Sequence, residues 1–189
     1  MKKPVVYAVI PARGGSKRLP RKNVQMLWGK PLIYWAVRAC QQSSYISECY
    51  VSTEDDEIAS LAEQFGAKLI RRPAQLAGDA AFKQDVIVHA AESFAHKPDL
   101  VVSVQANSPE VRAADLDAAI AKLIENDRSE IFSVDESLLQ NAAFRVMKYD
   151  YVFQKSLSTY CGVFVTRYVD VHTMEDIQFL EQNSQPSDR

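Results

Sequence analysis

The sequence predicts a single α/β domain built on a largely parallel β-sheet. Short apolar runs alternate with segments of helical periodicity along the chain, which is typical of this fold class. The first run, residues 5–10, is apolar throughout, as expected of a strand covered on both faces. The length of 189 residues fits one domain. We therefore expect one domain over residues 1–183 and a flexible tail over residues 184–189.

Apolar runs and helical spacing place the individual elements in order. The predicted strands are residues 5–10, 50–52, 68–71, 100–104, 131–134 and 162–166. The predicted helices are residues 31–43, 54–65, 85–94, 116–123 and 174–181. A hairpin is expected over residues 144–153. The second helix begins with four acids, residues 54–57, which follow Thr53 and suit the positive end of a helix dipole. A metal-binding acidic cluster is the less favoured interpretation of these four acids.

Charge and composition exclude several protein classes. The 22 Lys+Arg and 24 Asp+Glu residues give a net charge of −2, and 47% of the residues are hydrophobic. This balance excludes a disordered, collagen-like or generally basic nucleic-acid-coating protein. We therefore expect no nucleic acid as a partner. No apolar run approaches the roughly 20 residues of a membrane span, so we expect no membrane as a partner either. The three cysteines form no C-x-x-C pair and are expected to be reduced core residues of a cytoplasmic protein.

The segment after the first strand, residues 11–23, is here called the basic loop. It holds five cations within ten residues, in a chain that is otherwise slightly acidic. Gly14 and Gly15 lack Cβ, so this backbone could approach an anion closely, and Arg13, Lys17 and Lys22 could neutralise a polyphosphate. The loop matches neither the dinucleotide-binding G-x-G-x-x-G pattern nor a P-loop, which argues against an ordinary Rossmann oxidoreductase. A solvated basic turn is the alternative.

Further motifs follow the basic loop along the chain. The motif residues are 10–17, 19–20, 22–23, 29–33, 51–53, 72–79 and 105–109. Together they resemble the acylneuraminate cytidylyltransferase family, which makes CMP-sialic acid and related activated nonulosonates. The resemblance covers about residues 5–135 in register. The related Kdo cytidylyltransferases usually carry Gly-Lys-Pro where this chain has Arg21-Lys22-Asn23, which favours the nonulosonate branch.

The resemblance implies a Rossmann-like nucleotidyltransferase fold, CTP and a sugar acid as substrates, and Mg²⁺ as cofactor. Arg13 and Lys22 would be the catalytic residues. The implied nucleotide-binding residues are Arg13, Gly14, Gly15, Ser16, Lys17, Lys22, Asn23, Arg72 and Asp79. The implied sugar-binding residues are Gln105, Asn107, Ser108 and Arg145. The implied metal ligands are Asp170 and His172.

Three departures from the family pattern leave alternatives open. The metal motif Asp-x-Asp-Thr reads D-V-H-T at residues 170–173, so an imidazole replaces the second carboxylate. Lys83 replaces a small hydroxyl residue near the base, and Gln-Pro-Thr-Ser-Pro reads Q-A-N-S-P at residues 105–109. The stretch between Val134 and Asp170 is some tens of residues shorter than usual, which trims the C-terminal region and is expected to weaken the usual homodimer. The open alternatives are a non-catalytic nucleotide- or sugar-binding relative and a nucleotidyltransferase that uses another base or sugar.

Overall fold

The computed structural model describes residues 3–78, 80–155 and 158–185. Within these residues the chain forms nine strands and five α-helices. The strands are β1 (Val6–Pro11), β2 (Met26–Leu27), β3 (Lys30–Pro31), β4 (Ile46–Thr53), β5 (Lys68–Arg71), β6 (Leu100–Val104), β7 (Glu130–Val134), β8 (Gln140–Lys148) and β9 (Cys161–Val165). The helices are α1 (Leu32–Gln42), α2 (Asp56–Gln64), α3 (Lys83–Glu92), α4 (Ala113–Glu125) and α5 (Met174–Asn183).

Seven of these strands form one sheet in the order β5-β4-β1-β6-β8-β7-β9. β1 pairs in parallel with β4 and β6, β4 with β5, and β7 with β9. β8 is antiparallel to both of its neighbours. The predicted mostly parallel α/β sheet is therefore confirmed. Because parallel strands end at the same edge, the loops that follow β1, β4, β5 and β6 lie side by side.

Helices cover both faces of the sheet, as predicted. On one face, Val6, Ala8 and Ile10 of β1 pack with α1, α2 and α4. On the other face, Tyr7 and Val9 pack with α3. Both sets of alternating β1 side chains are thus buried, which explains why the strand sequence is apolar without interruption. α5 packs separately against α1 and the β2–β3 hairpin, which the sequence did not predict.

The predicted hairpin over residues 144–153 is wrong. Its first half lies inside β8, which pairs with β7 instead, and Tyr149–Phe153 form a 3₁₀ helix. Tyr149 and Val152 both pack against the core cluster that contains α3. Their separation of three residues puts both side chains on one side of a 3₁₀ helix, whereas a strand would point them to opposite faces.

Helix α2 begins later than predicted. It starts at Asp56, and the Asp55 side chain caps it by accepting the N–H of Ile58 at 3.0 Å. Only Asp56 and Glu57 therefore lie in the first turn. Glu54 and Asp55 precede the helix at the carboxyl end of β4, where they can contact the basic loop.

The cysteine prediction holds for two of the three residues. Cys40 and Cys49 are buried, whereas Cys161 is exposed, and all three are free thiols. Cys161 begins β9, which is the last strand of the sheet order and has a neighbour on one side only. An edge position leaves the side chain open to solvent, which corrects the expectation that it belongs to the core.

Two further expectations concern membrane-spanning helices and the C-terminal tail. Helices long and apolar enough to cross a bilayer are absent from the described ranges. Of the predicted tail, residues 186–189 lie outside the described residues. The N–H of Ser184 donates to the carbonyl of Leu180 at 2.9 Å and closes the last turn of α5. The single-domain boundary and the flexible tail stay predictions.

Candidate functional site

A cleft of about 270 Å³ opens at the edge of the sheet where β1, β5 and β6 end. The basic loop forms one wall, Arg72 another, and the segment after β6 a third. The sequence-predicted residues that line the cleft are Arg13, Ser16, Lys22, Asn23, Arg72, Gln105 and Asn107. The fold thus gathers into one cavity residues that are more than 90 positions apart in the chain. Their common location follows from parallel strands ending at one edge.

Hydrogen bonds hold the basic loop against its neighbours. The Ala12 N–H donates to the carbonyl of Ser52 at 3.0 Å, which extends the pairing of β1 and β4 by one residue. The buried Asn23 side chain reaches back across the loop and donates to the carbonyl of Arg13 at 2.9 Å. The two lining residues Arg13 and Asn23 are therefore fixed relative to each other.

Glu54 joins the basic loop to Arg72. Its Oε1 accepts the N–H of Gly14 at 2.8 Å, and its Oε2 accepts Nε–H of Arg72 at 2.9 Å. The Arg72 side chain is only 3% exposed, so Glu54 neutralises a nearly buried guanidinium. Arg72 Nη2 lies 2.9 Å from the same carboxylate but makes no hydrogen bond to a described residue. Arg72 Nη2 is thus buried against the carboxylate of Glu54, at the base of the cleft wall.

Asp55 holds the same loop from the other side. Besides capping α2, its carboxylate pairs with Arg21, which also contacts Glu57. The bond to Arg21 holds the pKa of Asp55 below its usual value. Arg21 itself adopts a left-handed backbone conformation with φ of 55°. Glu54, Asp55 and Glu57 therefore hold the basic loop, and Asp55 also caps a helix, whereas Asp56 pairs with Arg71.

Gly14 and Gly15 differ in the space around them, which yields a matched pair of variants. A Cβ at Gly14 would lie 2.3 Å from Asp55 Oδ2 and 3.0 Å from Asp55 Cβ, whereas none of the described atoms lies within 4 Å of one at Gly15. We expect Gly14→Ala to lower the free energy of unfolding by about 1–3 kcal/mol, because Asp55 must give up its cap or its ion pair. We expect Gly15→Ala to change it by less than about 0.5 kcal/mol. Chemical denaturation of both variants checks this, and equal stabilities would contradict it.

Cations crowd the cleft, and the nearby Asp170 interacts electrostatically with two of them, Lys22 and Lys83. Burial lowers the pKa of Lys22, and repulsion from Arg18 and Arg13 adds to the effect. Burial also lowers the pKa of His172, again with a contribution from Lys22. Burial raises the pKa of Asp170 above its usual value. Each shift shows a charge deprived of solvent, and a bound polyanion would relieve the repulsion among the cations.

A second cavity of about 320 Å³ adjoins the first. It lies where β6 and β8 pair, with Phe144 and Met147 among its apolar lining residues. Arg145 lines it too, but its guanidinium is engaged: Nε–H donates to Glu130 Oε2 at 2.6 Å and Nη1–H to Gln84 Oε1 at 2.8 Å. The structure therefore places Arg145 at the second cavity as a braced side chain.

Asp170 has the chemistry to share a metal ion with a ligand. Its carboxylate accepts a hydrogen bond from the buried Ser108 hydroxyl. His172 Nδ1 is buried and has no partner among the described residues. Clusters of three or more His, Cys, Asp or Glu suited to a metal are likewise absent from the described parts of the chain. Mg²⁺ commonly binds one or two carboxylates plus substrate phosphates, so Asp170 fits such a shared ion. An imidazole does not suit this hard ion.

The remaining predicted site residues fall into three groups. Gly14, Gly15 and Lys17 belong to the basic loop but do not line the cleft. The Ser108 hydroxyl donates to Asp170, and Ser108 lines neither cavity, so its role at the sugar stays a prediction. Asp79 lies outside the described residues. The sequence analysis did not identify Glu54 and Gln84 as parts of the site. For Glu54 there was a signal: it is an acid directly after a strand, and that strand neighbours the basic loop.

A larger cavity of about 530 Å³ lies between the start of α4 and the end of β9. Its charged lining residues include two ion pairs, Arg112 with Asp115 and Arg167 with Glu136. The described residues that the sequence assigned to a site all lie elsewhere. The two adjoining cavities at the carboxyl edge are therefore the candidate site.

Comparisons with known proteins agree with this geometry. A family model described as Cytidylyltransferase matches residues 7–182. N-acylneuraminate cytidylyltransferase A of Danio rerio is 35% identical over 129 residues, which cover 68% of this chain and 30% of the relative. Pseudaminic acid cytidylyltransferase of Campylobacter jejuni is 35% identical over 132 residues, which cover 68% of this chain and 57% of the relative. The chain thus spans less than two thirds of the length of these relatives.

A solved structure shows the same fold. The structure of a CMP:2-keto-3-deoxy-manno-octonic acid synthetase complexed with CTP superposes with a TM-score of 0.80 at 16% sequence identity. The superposition covers 94% of this chain and 97% of the other. The nucleotidyltransferase type of fold predicted from the sequence is thereby confirmed.

Proposed function

Because the chain belongs to the cytidylyltransferase family, we propose that it transfers a cytidylyl group from CTP to a nonulosonic (sialic-type) acid. The products are a CMP-sugar and pyrophosphate. The observation that carries this proposal is the pair of adjoining cavities, one rich in cations and one largely apolar with a braced arginine. A triphosphate suits the first cavity, and a sugar acid with apolar substituents suits the second.

The basic loop binds the triphosphate in this proposal. Arg13 and Lys22 neutralise the phosphates and stabilise the charge that develops on the leaving pyrophosphate. Gly14, Gly15, Ser16 and Lys17 complete the loop around the phosphate chain. Asn23 fixes the loop at Arg13, and Arg72, which lines the cleft, is a proposed contact of the nucleoside. Asp79 is a further proposed nucleotide-binding residue.

The second cavity holds the sugar acid. Gln105 lines both cavities and can hold the sugar beside the nucleotide. Arg145 faces the acid, while Asn107 and Ser108 support the segment after β6. The anomeric oxygen bonds to the α-phosphorus and gives up its proton to solvent. The bond from that phosphorus to the oxygen bridging to the β-phosphate breaks in line, and pyrophosphate leaves.

Asp170 is the proposed ligand of a Mg²⁺ ion shared with the phosphates, and His172 lies beside it. A bound Mg²⁺ supplies positive charge to the phosphate oxygens. The hydrogen bond from Ser108 orients the Asp170 carboxylate. The backbone N–H of Val171 donates to the Asn107 carbonyl at 2.7 Å, which ties this segment to the loop after β6.

We also propose a cytoplasmic location, a role in surface glycan synthesis, and a homodimer weakened by the short stretch before Asp170. A second candidate function, nucleotide binding without turnover, is favoured by the single carboxylate at the metal position. The function experiment therefore has to separate binding from transfer.

Pyrophosphate release tests the proposed function. The purified protein is mixed with Mg²⁺, with CTP or another NTP, and with sialic, legionaminic, pseudaminic or Kdo-type acids in turn. We expect release that requires both CTP and one nonulosonic acid, while reactions without the acid give the background. If no combination releases pyrophosphate but CTP raises the melting temperature, the result would support the binding-only alternative. If no combination releases pyrophosphate and CTP leaves the melting temperature unchanged, the result would contradict both functions.

A further inference from the structure

Lys83 stands at the junction of the two cavities. It is the first residue of α3, and its side chain lines both the cation-rich cleft and the second cavity. Gln105 is the other described residue that lines both. Any ligand that spans the two cavities must therefore pass Lys83 and Gln105.

The charges around Lys83 belong to the nucleotide side of this junction. Its ammonium interacts electrostatically with Asp170 and with Lys22. On the side of the second cavity the neighbouring cation, Arg145, is already paired with Glu130. Lys83 thus adds a positive charge to the cleft that contains Lys22, whereas the second cavity has its own balanced ion pair.

Group transfer places the reacting phosphate at this junction. In the reaction of the proposed function, on which this inference rests, the sugar hydroxyl in one cavity attacks the α-phosphate of a nucleotide in the other. The α-phosphate must then lie where the cavities meet. We propose that the Lys83 ammonium binds the α-phosphate of the nucleotide and stabilises the charge that this group gains during transfer. A lysine suits this task because it is a compact point charge that binds phosphate readily.

From its position Lys83 could instead contact the base or the carboxylate of the sugar acid. Binding of cytidine, CMP and CTP distinguishes these contacts from a contact with the α-phosphate. A lysine that contacts the base would be needed for cytidine as much as for CMP. A lysine that contacts the carboxylate of the sugar acid would affect the KM of the acid and leave CMP binding unchanged. A lysine on the α-phosphate is needed for CMP and CTP, and not for cytidine.

The test compares Lys83→Met with Lys83→Arg and with Lys97→Met as the matched control. Lys97 follows the same helix at the opposite edge of the sheet and pairs with the exposed Asp150. Dissociation constants for cytidine, CMP and CTP are measured by calorimetry or by competition against CTP. We expect Lys83→Met to weaken CMP and CTP binding about tenfold and to leave cytidine unchanged, since charge-assisted hydrogen bonds carry this order of free energy. Lys97→Met should bind CMP within about twofold of the wild type, whereas Lys83→Arg, which keeps the charge, should bind CMP more tightly than Lys83→Met.

Each other outcome overturns the assignment in a recognisable way. Equal weakening of cytidine and CMP would assign Lys83 to the base. Unchanged CMP binding, with or without a raised KM for the acid, would remove Lys83 from the α-phosphate. A wild-type protein that binds neither CMP nor CTP would contradict the proposed function itself. Melting curves identify a variant that fails to fold, and Lys83→Gln then replaces Lys83→Met.

Discussion

Lys22→Met is expected to lower kcat/KM for cytidylyl transfer by about 100- to 1,000-fold, the usual effect of removing one group that stabilises transition-state charge. The same change is expected to leave the melting temperature unchanged or to raise it. Burial and repulsion from Arg18 lower the pKa of Lys22, so its charged form is disfavoured in the ligand-free fold. Removing that charge relieves the folded state, while the phosphates lose a partner.

The controls for this prediction are Lys22→Arg, which keeps the charge, and Lys30→Met, which removes an exposed lysine from β3 outside the cleft. We expect a much smaller loss for Lys22→Arg and none for Lys30→Met. Initial rates of pyrophosphate release and melting curves on the same preparations are the measurements. A Lys22→Met enzyme with near wild-type kcat/KM would show that Lys22 does not act on the phosphates.

Glu54→Ala is expected to lower the free energy of unfolding by about 3 kcal/mol, the lower end for breaking a buried ion pair, because Glu54 is partly exposed. For a chain of this size that loss corresponds to a fall in melting temperature of about 6–12 °C. Arg72 would remain buried without its counter-charge, and the Gly14 N–H would lose its acceptor. Affinity for CTP should fall as well, since both groups belong to the proposed nucleotide site.

Asp56→Ala is the matched control, because its partner Arg71 lies at the surface and the Asp56 side chain is 94% exposed. We expect that change to cost less than about 1 kcal/mol. The double variant Glu54→Ala/Arg72→Met should melt above Glu54→Ala alone, since no buried charge is left unpaired. If Glu54→Ala and Asp56→Ala melt at the same temperature, the account of Glu54 as a brace is wrong.

The sheet could be predicted well from the sequence because its central strands are recognisable as short apolar runs. β1 and β6 are buried on both faces and, apart from Ser103, are apolar, so their existence and their parallel order could be inferred. The region after residue 131 was harder because β8 runs antiparallel and pairs on both sides. The turn at Tyr149–Phe153 depends on packing against α3, which local patterns do not contain.

The candidate site was predictable where strands end and less so where side chains meet across the fold. Arg13, Lys22 and Arg72 each follow a strand, so their convergence follows from the parallel sheet. Glu54 contacts Gly14 over 40 positions and Arg72 over 18, and these contacts follow from the tertiary fold alone. Acids at the start of a helix are already explained by the helix dipole, so the local sequence pattern did not indicate separately that Glu54 also binds Gly14 and Arg72.

The most direct test of the central claim follows the α-phosphorus of CTP. CTP that is radiolabelled at the α-phosphorus, and separately at the γ-phosphorus, is incubated with the protein, Mg²⁺ and each nonulosonic acid. We predict that the α-label moves into a sugar nucleotide while the γ-label moves into pyrophosphate, and only when the acid is present. Bound CTP whose α-label never enters a sugar product, with any acid of the panel, would contradict the account.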